Sequence, residues 1–355
     1  MVLNLNIFKK ENPIGLDIGS SYIKIVRISD SKSGNELSLF DMAPIPFGAV
    51  EEGIVADKTA LTNTLKGLLK KNGINSGRVV VGVSGHSSVI IKRITIPLMN
   101  EEQLALSIQV EAEQYVPFDI NDVNIYFQIL GKNADEESQM DVLLVAVKKD
   151  VINDYCSIVE GAGLEPVIVD VDSFAIGNMY EANYETEEGA VALINIGSGI
   201  TNINILKDGQ PVFTRDSAVG GNYQTEALEH EFGVNREDAE RLKKGQLIEG
   251  VPPEAVSLVI AFSSDEIFSE IYRSFEFYKS SASDSDIRKI ILSGGTALVE
   301  GFPEMTAERI GIPVEVADPF KKINISAKLE AGYVKANAAI SAVAVGLALR
   351  KVGDR

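Results

Sequence analysis

Residues 14–28, IGLDIGSSYIKIVRI, bring an acid, a glycine, two serines and a lysine into one short stretch. Its apolar alternation reads as strand, tight turn, strand. Gly19, Ser20 and Ser21 offer backbone N–H groups and hydroxyls with little side-chain bulk, which suits an anion such as phosphate. Asp17 stands at the mouth of the turn, where a carboxylate can hold a hydrated Mg²⁺. Lys24 reaches phosphate as a point charge. Alone, such a hairpin is more often only a turn. A second copy changes the reading. Residues 192–206, ALINIGSGITNINIL, align Asn195 with Asp17, Gly197 with Gly19, Ser198 with Ser20 and Ile203 with Ile25, half a chain length away. With Gly199 they form a second phosphate-type loop. Two such hairpins imply two similar domains facing one ligand between them.

Three further groups carry candidate chemistry. Asp170 and Asp172 stand where a strand at 164–171 runs into a helix at 173–180. One of them is placed to orient an attacking water, and the competing reading is that Asp172 caps the helix. Ser293, Gly294, Gly295 and Thr296 end a strand at 289–292 and allow close backbone approach to a flat ring or a phosphate. Glu240 and Lys243 lie three apart on one face of a helix at 236–244, where the plain reading is a surface ion pair. Cys156, on a helix at 150–162, reads as a core thiol, with no histidine near in sequence to activate it.

The elements that must position these residues read as an α/β chain. The expected organisation is a first domain over 1–84 and 151–190, an inserted sub-domain over 84–150, a second domain over 191–221 and 289–355, and a sub-domain over 222–288. The spacing predicts helices over 58–71 and 101–115. It also predicts a long helix or helix pair over 253–281, with Ile260, Phe262, Ile267, Ile271, Phe275 and Phe277 mostly in the core. A small, apolar closing helix over 331–349 reads equally as a hinge facing its counterpart after Asp172 or as a helix that only packs closely against a neighbour. The inserted stretch reads equally as a solvated sub-domain or as a partner-binding surface. Hydrophobic content of 45% and charged content of 24% are those of a folded soluble protein. A net charge of −18 argues against general nucleic-acid binding. One cysteine and two histidines, His86 and His230, exclude an internal disulfide and disfavour zinc chemistry. No signal-peptide pattern or apolar run of about 18 residues is seen, so a cytosolic location is expected. Val2, Leu3, Leu5, Ile7 and Phe8 read as a tail or an added strand, with docking as the alternative.

The order of first hairpin, Asp170–Phe174 junction, second hairpin, Ser293-Gly294-Gly295 and alanine-rich closing helix resembles the actin, Hsp70 and sugar-kinase superfamily of ATP-binding folds. The resemblance implies an actin-like ATPase fold, two duplicated α/β domains flanking a nucleotide cleft, with ATP and Mg²⁺ as cofactors. Asp17 and Asp172 would then take the catalytic places, Asp17 holding Mg²⁺ through water. Gly19, Ser20, Ser21, Lys24, Gly197, Ser198, Gly199, Gly294 and Gly295 would contact nucleotide. The run AERLK, Ala239–Lys243, is similar to the segment whose glutamate and lysine touch ribose and adenine in bacterial members, which adds Glu240 and Lys243.

Within the superfamily, EAEQYVPFDINDVNIYFQILG at 111–131 and the placement of the insertion resemble the PilM family of type IV pilus assembly proteins, relatives of the cell-division protein FtsA. This implies an ATP-binding adaptor at the cytoplasmic face of the inner membrane, peripheral through its partners. The implied partner is the cytoplasmic N-terminal tail of PilN, lying in a groove between the inserted sub-domain and the first domain. Other pilus platform and motor proteins are further implied partners, nucleic acid is not, and homo-oligomerisation stays open. Asn195 departs from the superfamily's usual aspartate. Loss of one such electrostatic contact costs about 100- to 1,000-fold in rate, so at most a weak ATPase is expected. The alternatives are an FtsA-like filament-forming ATPase and a small-molecule kinase with Asp170 or Asp172 as base. The former is disfavoured where the chain stops at Arg355 without a linker and amphipathic helix, and an Hsp70-type chaperone is disfavoured by the lack of a substrate domain.

Overall fold

The computed structural model describes residues 12–31, 34–133, 136–281, 286–351 and 353. The apolar N-terminal positions Val2 to Phe8 lie outside the described residues. The chain opens with three strands, β1 (Ile14–Ile18), β2 (Tyr22–Ser31) and β3 (Gly34–Pro44). A short ribbon, β4 (Val50–Glu51) and β5 (Ile54–Val55), precedes helix α1 (Lys58–Lys71) and strand β6 (Arg78–Val83). Then come β7 (Val89–Pro97), α2 (Glu101–Ala112), β8 (Val123–Lys132) and β9 (Gln139–Lys148). Helix α3 (Lys149–Gly161), strand β10 (Glu165–Val171) and helix α4 (Asp172–Asn183) follow. The second half begins with β11 (Ala190–Ile196), β12 (Thr201–Lys207) and β13 (Gln210–Ser217). Four helices come next, α5 (Asn222–Phe232), α6 (Arg236–Lys243), α7 (Pro253–Ser263) and α8 (Asp265–Ser281). The chain ends with β14 (Ile287–Ser293), α9 (Phe302–Ile310), β15 (Val314–Val316), β16 (Asn324–Ile325), α10 (Ala331–Ala336) and α11 (Ala342–Ala348).

The two large sheets repeat one topology. The first runs β10-β6-β1-β2-β3-β16 and the second β13-β12-β11-β14-β15. In each, an antiparallel meander (β1-β2-β3, β11-β12-β13) is extended from its first strand by two parallel strands (β6 and β10, β14 and β15). β1 is buried along its whole length, as expected of a strand covered on both faces. Leu61, Leu65, Leu68 and Leu69 form the buried stripe of α1, spaced for one helical face. They pack with α3 on one side of the first sheet. The other side shares a core with α4 and α11 that reaches Leu193 and Ile291 of the second sheet. Between β6 and α3, strands β7-β9-β8 form a separate antiparallel sheet whose core includes Leu104, Ile108 and Ala112 of α2. Asn100 caps α2 through a reciprocal pair with Gln103, and the helix stops at Ala112 rather than at 115.

Two expectations need correction. Phe262 and Phe277 are not core residues: they are 73% and 63% exposed, whereas Ile260, Ile267, Ile271 and Phe275 are buried. The stretch is a helix pair broken at Ser264, and each of the two exposed phenylalanines lies two residues from a buried position, on the opposite side of its helix. The closing segment is also not one helix. A 3₁₀ turn at Ala339–Ser341 separates α10 from α11, and the break lets the Ala339 carbonyl accept from the Gly294 N–H at 3.0 Å. Helix α11 packs backbone against backbone. A Cβ on Gly346 would lie 1.7 Å from the Ala175 carbonyl oxygen on α4, and one on Gly15 of β1 would lie 2.2 Å from the Ala344 oxygen. Neither neighbour is a flexible side chain that can swing aside. Gly346→Ala is therefore expected to lower stability by about 3 kcal/mol or more, at or beyond the upper end of ordinary overpacking. Chemical denaturation with an unchanged m-value checks this.

Candidate functional site

The two meanders place their first turns opposite each other. Each turn is closed the same way: Gly19 N–H donates to the Tyr22 carbonyl at 3.1 Å, and Gly197 N–H donates to the Ile200 carbonyl at 2.9 Å. They lie so close that a Cβ on Gly199 would come within 2.9 Å of Ser20 Oγ. The second turn is braced from behind by the start of α5, where Gly221 N–H donates to Gly197 O at 2.9 Å and Asn222 N–H to Ser198 O at 2.8 Å. Between the turns is a cleft of about 360 Å³. It is lined by Asp17, Gly19, Ser20, Ser21 and Lys24 on one side and Asn195, Gly197, Ser198 and Gly199 on the other. Asp172, Glu240, Lys243, Gly294 and Gly295 complete the wall. Asp170 is not among the lining residues. It pairs with Arg350 at 3.2 Å, so the water-orienting alternative falls to Asp172 alone.

The hairpins share geometry but not charge. Asp17 sits across from Lys24 in the register of β1 and β2, and their side chains form a buried ion pair at 2.7 Å. At the same register of β11 and β12, Asn195 faces Asn202, and the Asn195 Nδ2 donates to Asn202 Oδ1 at 3.0 Å. The charged pair of one half is thus a neutral amide pair in the other. Asn202 was legible in principle, because it repeats the spacing of Lys24 from Asp17.

Asp172 is the first residue of α4, whose N-cap is Val171 without a side-chain bond, so it does not cap the helix. Its Oδ1 is buried and has no hydrogen-bond partner among the described residues. A Cβ on Gly82 would lie 2.2 Å from that oxygen, so only glycine leaves room for it. Burial first, then the charge of Asp17, pushes the Asp172 carboxyl up to about 8, with Ser84 opposing and Asp216 adding to the rise. Cys156 is half-buried and free rather than a core thiol, and burial raises its pKa.

At the far end of the cleft, Lys243 is held by three acceptors: Gly221 O at 3.1 Å, Thr225 Oγ1 at 2.7 Å and Glu240 Oε1 at 2.7 Å. Burial lowers the Lys243 pKa against the pull of Glu240. Burial pushes the Glu240 carboxyl up, but Lys243 and Thr225 hold it below its ordinary value. This pair is a built part of the wall, not a loose surface bridge. Gly294, at φ 91°, has its Cβ direction filled by the Ile196 carbonyl 2.3 Å away, so the strand end approaches the cleft as bare backbone. Sequence reasoning did not find Tyr22, Tyr155 and Lys244, which also line the cleft, as does Thr296 at the expected strand end.

Two sheets of one topology, facing across paired glycine hairpins, define an actin-like ATPase fold. A chain of MreB 5 of Spiroplasma citri bound to AMPPNP shares this fold, with a TM-score of 0.51, 15% identity and coverage of 95% of each chain. The profile of the family described as type IV pilus assembly protein PilM matches residues 15–352, and the chain belongs to that family. A solved chain from a PilM-PilN type IV pilus biogenesis complex is similar at a TM-score of 0.84 and 27% identity, covering 97% of this chain and 99% of that one. Cell division protein FtsA of Streptococcus pneumoniae serotype 2 is 25% identical over 350 residues, covering 86% of this chain and 75% of FtsA. Among the described residues no helix is long and apolar enough to cross a membrane.

The state of Asp172 gives a pH prediction. Its folded pKa lies above the ordinary 3.8, so between about pH 4 and pH 8 the folded state binds the extra proton. Its contribution to stability therefore falls as pH rises through that window. In ligand-free protein, Asp172→Asn is expected to flatten the loss of stability between about pH 5 and pH 8 relative to wild type. Denaturant midpoints at the two pH values test this, and parallel slopes would contradict it.

Proposed function

We propose that the chain is an ATP-binding adaptor of the type IV pilus inner-membrane platform, which captures the cytoplasmic N-terminal tail of PilN and turns ATP over slowly or not at all. The observation that carries this reading is the pair of facing hairpins, charged in one half and neutral in the other, in a chain of the PilM family. Gly19, Ser20, Ser21 and Gly197, Ser198, Gly199 cradle the phosphates, and Lys24 supplies a point charge. Gly294 and Gly295 lie against the base, while Glu240 and Lys243 face ribose and adenine. The cradle fits such a ligand, because a side chain at Gly199 would enter the gap towards Ser20 Oγ and Gly294 brings bare backbone to the cleft wall.

Among the described residues no group of three acidic, histidine or cysteine side chains forms a metal cage. That suits Mg²⁺ held by phosphates and water, with Asp17 and the orphaned Asp172 oxygen as outer partners. Bound Mg²⁺ supplies neutralisation of phosphate charge. The residues then act on water: Asp172 holds a proton at its carboxyl and orients a water, while Asn195 offers an amide where the superfamily places a second carboxylate. With one anionic contact absent, water activation is weak and hydrolysis slow.

The PilN tail is assigned to the groove between the β7-β9-β8 module and the first sheet, and membrane association follows from that contact. The relative solved as a PilM-PilN complex supports this assignment. Other platform and motor proteins would meet the same complex. The similarity to FtsA favours one second reading, a filament-forming ATPase, which pelleting in Mg·ATP would reveal.

Mg·ATP at about 100 times its dissociation constant is expected to stabilise the protein by about 2.7 kcal/mol, and Lys24→Ala to remove most of that gain in a thermal melt. Steady-state turnover is expected well below about 1 s⁻¹. Turnover at or above that rate, abolished by Asp17→Ala, would contradict the adaptor reading, as would failure of a PilN tail peptide to bind in fluorescence anisotropy.

A further inference from the structure

One unbroken run of side-chain hydrogen bonds leaves the cleft and ends at the inserted module. Ser293 Oγ donates to Asn195 Oδ1 at 3.2 Å, Asn195 Nδ2 to Asn202 Oδ1 at 3.0 Å, and Asn202 Nδ2 to Asp216 Oδ1 at 2.8 Å. The backbone N–H of Gly85 then donates to Asp216 Oδ2 at 2.8 Å. Each amide accepts through oxygen and donates through nitrogen, so the bonds from Ser293 to Asp216 are polarised in one direction and strengthen one another, and the Asp216 carboxylate joins them to the Gly85 N–H, which donates to it from the other side. Ser173, beside Asp172 on α4, adds a bond from its hydroxyl to Asp216 Oδ1 at 3.3 Å. Among the described residues the first half has no such path: the residue opposite Lys24 on the third strand of its meander is Met42, whereas the residue opposite Asn202 is Asp216.

The Gly85 end of this run is the connection between the first sheet and the inserted module. Residues 84–88 join β6 of the first sheet to β7 of the inserted sheet, and the return connection is tied to them by the Lys148 N–H donating to Ser88 O at 3.1 Å. Gly85 has φ 130°, and a Cβ there would lie 2.5 Å from the Glu52 carbonyl oxygen. The turn it touches, Glu52–Gly53, is held in the left-handed region and fixed by Tyr155 Oη donating to Gly53 O at 3.1 Å. One side of the Gly85 peptide is therefore clamped by its own half of the molecule. The other side is held by Asp216, on a strand of the opposite half that packs against β7. Burial pushes the Asp216 carboxyl up, while Asn202, Gly85 and Ser173 as donors, and His86 as a nearby charge, act against that rise. A buried carboxylate losing one of these donors is costly, so the orientation of Asn202 and the position of the Gly85 amide are not independent.

We propose that Asp216 is a positioning residue coupling the cleft to the inserted module. A ligand that engages Asn195 is transmitted through Asn202 and Asp216 to the connection at Gly85, and this biases where the β7-β9-β8 module stands against the first sheet. The coupling rests on the reading of the cleft as a nucleotide site. By linkage it is reciprocal: a protein partner that holds the module changes nucleotide affinity by the same factor, for which about 5- to 150-fold is the usual range.

Hydrogen–deuterium exchange of the whole chain with and without Mg·ATP tests this, comparing wild type with Asp216→Asn, which keeps the side-chain shape. Should that variant fail to fold, Asp216→Thr, suited to a strand, takes its place. In wild type, Mg·ATP should slow exchange in both hairpins, residues 17–24 and 195–202, and shift the exchange rate across 84–89 by about threefold or more, a modest fraction of the coupling range. The variant should keep the hairpin protection and lose the response at 84–89. Hairpin protection without a response at 84–89 in wild type, or a response that survives in the variant, overturns the coupling and leaves the nucleotide reading standing. No protection in the wild-type hairpins overturns both.

Discussion

The crossing of α11 over α4 and β1 is the contact on which the site depends. Gly346 meets the Ala175 carbonyl and Gly15 meets the backbone at Ala344 with no side chain between them. Helix α4 follows the first sheet and α11 closes the chain after the second, and both share one core with strands of each sheet. The approach is set by backbone atoms, which cannot adjust as long side chains do, so the two sheets have a narrowly defined relative position. The facing hairpins, only a hydroxyl's width apart at Ser20 and Gly199, follow from it. A broken closing segment serves the same end, since the turn at Ala339 supplies the carbonyl that holds Gly294 at the cleft.

On that frame the chain carries two versions of one hairpin. The backbone closure at Gly19 is repeated at Gly197, which shows that the geometry of the turn does not need the charges beside it. The charges are where the halves diverge. Asp17 and Lys24 form an ion pair, while Asn195 and Asn202 form an amide pair that draws on Asp216 of the neighbouring strand. On the proposed reading, such a cleft favours retention of an anionic ligand over its turnover, because the second hairpin brings an amide where the first brings a carboxylate. The neutral pair also frees the second half to use its carboxylate elsewhere, at the connection to the inserted module.

Much of this was legible in the repeat itself. Matching residues 14–28 to 192–206 located both turns, and glycine at Gly19, Gly197 and Gly294 told where backbone lines the cleft. The helical stripe of Leu61, Leu65, Leu68 and Leu69 was equally plain. What periodicity did not show was tertiary choice. Phe262 and Phe277 belong to apolar stretches yet face outward, because each lies two residues from a buried position, Ile260 and Phe275, and so on the opposite side of its helix. Asp172 fits a capping position yet its carboxyl is buried in the cleft, because Gly82 leaves space for it there. Asp216 carried no local signal: its partners Gly85, Ser173 and Asn202 are distant in sequence and are brought together only by the packing of β13 against β7.

The central claim is that one nucleotide lies between two unequal hairpins. A crystal structure of the protein with AMPPNP and Mg²⁺ tests it most directly. The account predicts the triphosphate between Gly19–Ser21 and Gly197–Gly199, with Lys24 against phosphate, Asn195 in the shell of the metal's waters, and the base against Gly294 and Gly295. Nucleotide bound elsewhere, or a cleft left empty at saturating AMPPNP, would contradict it.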